Sequence, residues 1–525
     1  MFIVSNSPSL RSIILSLLLS MSVACSADNG QAHEGAADLT PIVVSRICQT
    51  PEGKPYLEVD DKPFPLYGAQ IRVDIFRSVD KLDWDEIELY FATAQNLGVN
   101  CVQVSYPWAF LEPKRDQYTF TEIDKIMEFA NKYDLKVELL WFSTNMIGDS
   151  YTWLVPTYIL SEPAIRLNRT GDGSHHYLYG YTYSIVMDDA WVLEREVKAV
   201  RRLFTHIREW DERNGGRHPI ITCQVHNEPD ALVRWRLDEK TISHKDGTKL
   251  TRKEAWRMTL EPMDVVGQAI QTGDYIVATR TNVISGDGVK DFPQTPGISP
   301  KDVYALQGID FLSFDPYKDK VNEIAYEVSQ YASLKGNYPL IAENRGNFVN
   351  TASLMLVASA LGGGYDIYDL ATSKTIERVA SQPFTSEGIY NPDLTPKNHV
   401  PSVTMVIKGL TRAAEDVALT ATPEFADFNV RTDSPQKELT QTIRTTGAEL
   451  KFQTSSGALG FVLDRGNELV VFATATARLS VSNGVVREVT NNTVDLEAGK
   501  LYRLSFTSSG KLTSTVKNNI GTIFN

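Results

Sequence analysis

Short apolar runs alternate with amphipathic stretches along the chain from about residue 66 to residue 370. Segments such as VNCVQVS, LKVELLWF and IITCQV are rich in β-branched residues, which predicts buried strands. The stretch LDWDEIELYFATAQNLG instead has apolar residues at helical spacing. It opens with Asp83 and Glu86 spaced as a capping box and ends at Gly98, so it predicts a helix. Strands and helices are therefore expected to alternate.

Eight strand candidates follow from this pattern. The first lies near Leu66, the next three are those quoted above, and the last four are YIVATRTNV, DFLSFDPY, PLIAE and GGGYDIYDL. Strand–helix alternation implies parallel pairing, and eight such units favour an α/β fold of the (β/α)8 TIM-barrel type. An open doubly wound sheet is the alternative, but no Gly-rich phosphate-binding loop follows the first strand.

The pattern changes beyond about residue 417. Short alternating runs separated by Gly, Asn and Ser turns predict a small all-β, sandwich-like C-terminal domain. The predicted organisation is a signal peptide at 1–25, a tether and leading strand at 26–54, the barrel at 55–416 and the β-sandwich domain at 417–525. The stretch YLEVDDKPFPLYGAQIR predicts a hairpin that leads into the first barrel strand.

The N-terminus predicts export. Arg11 precedes an apolar run from Ser12 to Ala24 that is too short to span a bilayer comfortably, as in a secretory signal. The residues SVAC resemble a bacterial lipoprotein signal, in which Cys25 carries the lipid. We therefore expect a lipoprotein of the cell envelope, periplasmic or on the outer-membrane surface, and otherwise a periplasmic or secreted protein. Membrane contact is expected only through a lipid anchor on Cys25.

Composition and charge exclude several classes of function. The chain of 525 residues has a formal charge of −13 and no long basic run, which argues against a nucleic-acid partner. Cys48, Cys101 and Cys223 do not form a disulfide framework and predict small core residues. The adjacent His175 and His176 point in different directions, and no further His or Cys sits at ligand spacing. No metal and no cofactor are therefore predicted.

Polar and aromatic residues follow several of the predicted strands. In a (β/α)8 enzyme the active site lies at the C-terminal ends of the strands, so these residues are candidates for the site. Strand four is followed by Glu228, strand six ends at Asp315, and strand seven ends at Glu343. Candidate substrate-binding residues at the same end are Asn227, Tyr317, Arg72, Trp108, Trp141, Tyr106 and Arg345.

Two glutamates at one barrel mouth suit the cleavage of a glycosidic bond with retention of configuration. That reaction needs a nucleophile and an acid/base whose carboxyl groups are about 5–5.5 Å apart. We predict Glu343 as the nucleophile, kept ionised by Arg72 or Arg345 and by a hydrogen bond from Tyr317. Glu228 is predicted as the acid/base.

Other interpretations remain open for some of these residues. Asn227 is expected to bind the 2-hydroxyl of the sugar. Trp108, Trp141 and Trp153 are either platforms for sugar rings or ordinary core residues. The two arginines either act at the site or pair with other carboxylates of the barrel.

Three segments resemble a known group of enzymes. QVHNEPD and LIAENRG resemble the acid/base and nucleophile strands of the clan A glycoside hydrolases. LGVNCVQVSYPWAFLEPKRDQYTFTEIDKIMEFANKYDLKV is similar to the second and third barrel units of the family 35 and family 42 β-galactosidase group. The likeness covers roughly residues 55 to 410. His226 and Pro229 depart from the Glu and Tyr typical of family 35, and His226 either orients Glu228 or supports the strand end.

The resemblance and the paired glutamates together predict a function. We expect a retaining β-glycosidase that hydrolyses oligo- or polysaccharides by a two-glutamate double displacement, similar to β-galactosidases. The alternative is a non-catalytic, carbohydrate-binding surface lipoprotein on a glycosidase-like barrel. The presence of both glutamates favours catalysis. The sugar, the linkage and the choice between exo and endo action are left open.

Overall fold

The computed structural model describes residues 40–143, 154–160, 177–178, 182–183, 189–231, 251–284, 288–291, 297–373, 387–420, 439–444, 448–454, 458–465, 468–483, 493–506 and 512–519. The predictions for the signal peptide, Cys25, Trp153, His175 and His176 lie outside these ranges. Within them, no helix is long and apolar enough to cross a bilayer.

Eight strands close into a parallel barrel, which confirms the predicted (β/α)8 architecture. Each strand pairs in parallel with its neighbours, and Tyr365 on the eighth lies opposite Tyr67 on the first. The barrel strands, β1 to β8, are Tyr67–Ile71, Cys101–Pro107, Lys136–Phe142, Ile220–Val225, Ala278–Ile284, Phe311–Asp315, Leu340–Arg345 and Gly364–Tyr368.

A helix follows each barrel strand. These helices, α1 to α8, are Trp84–Leu97, Thr121–Lys132, Ala190–Arg213, Arg252–Gln271, Pro300–Tyr304, Val321–Ala332, Thr351–Ala360 and Val400–Arg412. Shorter helical segments are Val73–Ile75, Phe76–Asp80 (a π-helical turn), Trp108–Leu111, Thr157–Leu160, Pro229–Ala231 and Ala414–Leu419. The predicted capping box is present at the start of α1: Asp83 accepts from the Glu86 amide, and Glu86 accepts from the Asp83 amide, each at 2.9 Å.

The leading segment covers the N-terminal end of the barrel. Ser45–Gln49, Pro55–Val59 and Lys62–Pro63 form a three-stranded antiparallel sheet, which includes the predicted hairpin. Ile42–Val43 pairs with Tyr275–Ile276 just below β5. The Ser45 hydroxyl donates to the Ile221 carbonyl and accepts from the Ala278 amide at 2.8 Å, so it joins this segment to the start of β4 and β5.

The barrel interior is unusually polar for this fold, in which branched apolar side chains normally dominate. Arg280 on β5 donates to Glu138 at 3.2 Å, to Gln224 and to Ser313 at 3.1 Å. All four side chains are buried. Further buried polar residues on the inner strands are Gln70, Gln103, Asn282 and Asp366. This hydrogen-bonded layer lies beneath the strand ends where the site was predicted.

Two four-stranded antiparallel sheets form the C-terminal region, as predicted. One sheet contains Leu439–Arg444, Ala448–Thr454, Ala477–Asn483 and Thr493–Leu496, and the other contains Gly460–Asp464, Glu468–Ala473, Lys500–Phe506 and Leu512–Asn519. Apolar side chains from both sheets form one cluster. The second sheet also packs on the barrel through Phe472, and Arg503 forms a bidentate pair with Asp416. The domain boundary at residue 416/417 stays a prediction.

Candidate active site

Glu228 lies in a turn directly after β4. His226 and Glu228 have backbone φ angles of 62° and 43°, in the left-handed region that residues other than glycine seldom adopt. The Glu228 amide donates to Asn282 Oδ1 at 3.2 Å, and the side chain is largely buried. Such backbone strain persists only where the surroundings impose it, and it is common at functional sites.

Asn227 is oriented from inside the barrel. Its Oδ1 accepts from Gln224 Nε2 and from Asn282 Nδ2, both at 3.0 Å. Gln224 Nε2 also donates to the His226 carbonyl at 2.9 Å. Side chains on β4 and β5 therefore fix both the course of this turn and the direction of the Asn227 amide.

Glu343 lies within β7 and faces the barrel mouth. Its Oε1 accepts from Gln70 Nε2 at 3.1 Å, and its Oε2 accepts from the Tyr317 hydroxyl, as predicted for Tyr317. The pKa of Glu343 is raised overall, because burial raises it by more than the hydrogen bonds from Tyr317 and Gln70 and the charges of Arg72 and Arg280 lower it. These donors compensate a negative charge on this carboxylate.

Glu228, Asp315 and Glu343 form one buried cluster. One carboxylate oxygen of each lies within 4.8 Å of the others. Asp315 ends β6, and its Oδ2 accepts from Asn282 Nδ2 at 2.6 Å. Burial, followed by the charges of Glu343 and Glu228, raises the pKa of Asp315 well above its usual range. The strand-end pattern in the sequence pointed to Asp315, together with Tyr317, but gave Asp315 no role in the reaction.

Both arginines of the prediction pair with carboxylates other than Glu343. Arg72 forms a two-pronged pair with Asp74, at 2.9 and 3.0 Å. Arg345 pairs with Glu387 at 2.8 Å and lies over the Tyr317 ring, 5.5 Å from its centroid. Both arginines therefore pair with other carboxylates, while the charge of Arg72 also lowers the pKa of Glu343.

The aromatic residues Tyr106, Trp108 and Trp141 are fully buried. Trp108 Nε1 donates to Glu112 at 3.0 Å, and Trp141 Nε1 donates to Glu196 at 2.9 Å. None of the three side chains therefore presents an open face to a sugar in this structure. Core packing, the other interpretation that the sequence left open for the tryptophans, describes Trp108 and Trp141, and Tyr106, expected to bind substrate, is buried as well.

His226 supports the turn that carries Glu228. Its Nε2 lies 2.7 Å from Glu196 Oε1 on α3, and both side chains are buried. The adjacent Arg195 donates to Glu112 in the loop after β2. Consecutive residues of one helix thus hold the loop after β2 and the ends of β3 and β4. Glu196 carried no signal in the sequence, because a glutamate early in an amphipathic helix usually faces solvent.

Among the residues that the structure describes, two clusters have side chains of the type that binds metal ions: Glu228, Asp315 and Glu343 at the mouth, and Cys101, Glu138 and Asp366 below it. In the lower cluster Arg280 supplies the positive charge that a cation would bring. At the mouth, Tyr317, Gln70 and Asn282 donate hydrogen bonds to the carboxylates. Because the protein itself supplies these hydrogen-bond donors, the three carboxyl groups suit a reaction in which they act without a bound metal ion.

Two family models match the barrel. The β-galactosidase model of glycoside hydrolase family 42 matches residues 78–233. A model described as a domain of unknown function (DUF4978) matches residues 258–435. The first match includes Glu228, and Glu343 falls within the second. No curated protein matches the chain.

Solved structures of glycoside hydrolases resemble the chain. An exo-β-1,4-mannosidase, Op5Man5 from Opitutaceae bacterium strain TAV5, is 13% identical with a TM-score of 0.49, over 70% of this chain and 63% of that one. A β-galactosidase from the Antarctic haloarchaeon Halorubrum lacusprofundi is 15% identical with a TM-score of 0.46, over 70% and 60%. A β-galactosidase from the psychrophilic Marinomonas ef1 is 12% identical with a TM-score of 0.45, over 67% and 60%.

The chain covers less than two thirds of each of these three proteins. Its likeness to the family 42 β-galactosidases, expected from the motifs in β2 to β4, is confirmed by the family model over residues 78–233.

Proposed function

We propose that this protein is a retaining β-glycosidase in which Glu343 is the nucleophile and Glu228 is the acid/base. The observation that carries the proposal is the short separation of the two side chains, since one oxygen of each lies within 4.8 Å of the other. Retaining enzymes hold their carboxyl groups about 5–5.5 Å apart, whereas inverting enzymes need about 6.5–9.5 Å to admit a water molecule. The family 42 match over the segment that contains Glu228 supports the same class of reaction.

In the first step Glu343 attacks the anomeric carbon, and Glu228 gives its proton to the departing glycosidic oxygen. In the second step Glu228 takes a proton from a water molecule, and the water oxygen attacks the anomeric carbon. This displaces Glu343 and releases the sugar. Tyr317 and Gln70 hold the Glu343 carboxylate in place while it is ionised. Asn227, whose orientation is fixed by Gln224 and Asn282, is the group we assign to the sugar 2-hydroxyl.

The first experiment measures nitrophenol release from aryl β-glycosides in the wild type and in Glu228→Ala and Glu343→Ala. The family 42 match makes the galactoside the first substrate, followed by the glucoside, mannoside, xyloside and fucoside. We expect turnover of at least one glycoside, with kcat lowered at least about a hundredfold in each variant. Glu128→Ala, at an exposed position on α2, is the control and should retain wild-type turnover.

Proton NMR of the first-formed sugar tests the stereochemistry. Retention requires the initial product to have the β configuration of the substrate. An α product would contradict the double displacement. If neither aryl glycosides nor longer β-glycans are cleaved while glycans still bind, the non-catalytic alternative replaces the proposal.

A further inference from the structure

We propose that Asp315 is a positioning residue of this site which works as a neutral carboxylic acid and holds Glu228 and Asn227 in place through Asn282. The inference rests on the proposed function for its catalytic consequence. Its physical basis, a protonated and fully buried carboxyl group, can be tested without a substrate.

Asn282 is the point of connection. This fully buried side chain donates through Nδ2 to Asp315 Oδ2 at 2.6 Å and to Asn227 Oδ1 at 3.0 Å. Its Oδ1 accepts from the Glu228 amide at 3.2 Å. Both amide protons and the carbonyl oxygen of Asn282 are thereby used. Asp315 Oδ2 accepts one amide proton of Asn282 and thereby fixes the orientation of the Asn282 amide. In that orientation the other amide proton binds Asn227 and the carbonyl oxygen binds the Glu228 amide, which holds the turn that carries Glu228.

Three negative charges are poorly tolerated in this space. Glu228, Asp315 and Glu343 approach within 4.8 Å of one another inside a buried cluster. Like charges at such separations in a low-dielectric site favour protonation of at least one group. Glu343 has two donors that stabilise its ionised form, whereas Asp315 has a single donor, Asn282, among the residues described. Asp315 is therefore better suited than Glu343 to keep a proton, in addition to the proton that Glu228 carries in its proposed role as the acid.

The surroundings of Asp315 agree with this assignment. The ionisable groups that face it are Glu228 beyond β4, Glu343 on β7, Tyr317 beyond β6 and Arg280 on β5. Burial and the two glutamates raise the pKa of Asp315 well above its usual range, against the lowering effects of Asn282 and Arg280. Because Oδ2 accepts from Asn282, the proton belongs on Oδ1. Within the described part of the chain, Oδ1 is buried and has no hydrogen-bond partner.

A stability measurement tests the protonation state. An unfolded aspartate has a pKa of about 3.9, whereas folded Asp315 holds its proton to much higher pH. The folded protein then binds a proton that the unfolded chain has lost, so wild-type stability falls as pH rises through this window. In Asp315→Asn the amide that replaces the carboxyl group does not titrate in this window. The melting temperature of this variant relative to the wild type should therefore be lowest near pH 4 and should rise toward neutral pH.

Asp310→Asn is the matched control. Asp310 accepts from the Thr279 amide at 2.8 Å and from its hydroxyl at 3.0 Å, at the opposite end of the barrel from Glu228. The melting temperature of Asp310→Asn relative to the wild type should therefore show no such rise with pH. If Asp315→Asn instead loses stability relative to the wild type as pH rises, Asp315 is ionised and the inference is overturned. This outcome is independent of whether any glycoside is cleaved.

A comparison of two variants tests the positioning role once a substrate is known. Asp315→Ala leaves the Asn282 amide without its acceptor, so we expect kcat to fall about 10- to 100-fold with a smaller change in KM. Asp315→Asn keeps an acceptor for Asn282 and should recover most of this loss. Equal losses in the two variants would refute the role of the Asn282 contact.

Discussion

Glu343 is subject to two opposed effects. Burial raises its pKa, whereas Tyr317, Gln70 and the charges of Arg72 and Arg280 lower it. In its proposed role as nucleophile Glu343 must be ionised to attack, so the balance between these effects sets the pH below which the proposed activity is lost. The hydrogen bond from Tyr317 is the largest of the lowering effects, and its hydroxyl donates directly to Glu343.

Tyr317→Phe is therefore expected to raise the pKa of Glu343 and to move the acidic limb of kcat/KM to higher pH. Loss of a hydrogen bond to a charged group costs about 2 kcal/mol, which corresponds to roughly a 30-fold lower kcat/KM near neutral pH. Tyr326→Phe, at an exposed position on α6, is the control. An acidic limb that stays in place, or moves to lower pH, would mean that Tyr317 does not act on the nucleophile.

Residues at strand ends were the most predictable part of the site. Glu228, Glu343 and Tyr317 follow from the rule that a barrel site lies at the C-terminal ends of its strands. Asn282 and Glu196 could not be found in this way, because their roles depend on partners 54 and 30 positions away in sequence. A local pattern does not reveal such pairings.

Whole elements were predicted well because hydrophobic periodicity is local. The eight strands and the helix predicted between Asp83 and Gly98 lie where the pattern placed them. One strand differs in detail: YIVATRTNV divides into Tyr275–Ile276, which pairs with the leading strand, and Ala278–Ile284, which enters the barrel. The sequence shows one apolar run, and the two strands within it differ only in the strands with which they pair.

The contact between α8 and the C-terminal sheet can be tested by a substitution at Gly409. A Cβ on Gly409 would lie 2.9–3.0 Å from three ring atoms of Phe472. Alanine in a helix normally gains about 1 kcal/mol over glycine, but overpacking costs about 1–3 kcal/mol. Gly409→Ala should therefore lower the midpoint of urea unfolding. All eight tryptophans lie between residues 84 and 256, so their fluorescence reports on the barrel.

Phe472→Leu supplies the control for this change. In a double variant the smaller side chain should remove most of the penalty of Gly409→Ala, because the ring that causes the overlap is gone. A Gly409→Ala variant that is more stable than the wild type would show that helix propensity outweighs the contact.

At the scale of the whole molecule, hydrogen bonds across the barrel interior join its first four strands to its last four. Gln103 on β2 donates to Asp366 on β8 at 2.6 Å, and Arg280 on β5 donates to Glu138 on β3 at 3.2 Å. A four-stranded half would leave Arg280 without its carboxylate partner. Breaking a buried pair of this kind costs about 3–5 kcal/mol.

The polar interior consequently disfavours a folding intermediate in which only half of the barrel is formed. Tryptophan fluorescence, which reports mainly on the first half, and hydrogen exchange of β6 to β8 should give coincident transitions in urea. Separate midpoints would show that the halves unfold independently. Coincident transitions would mean that the charges that line the barrel contribute to folding cooperativity as well as to the proposed chemistry above them.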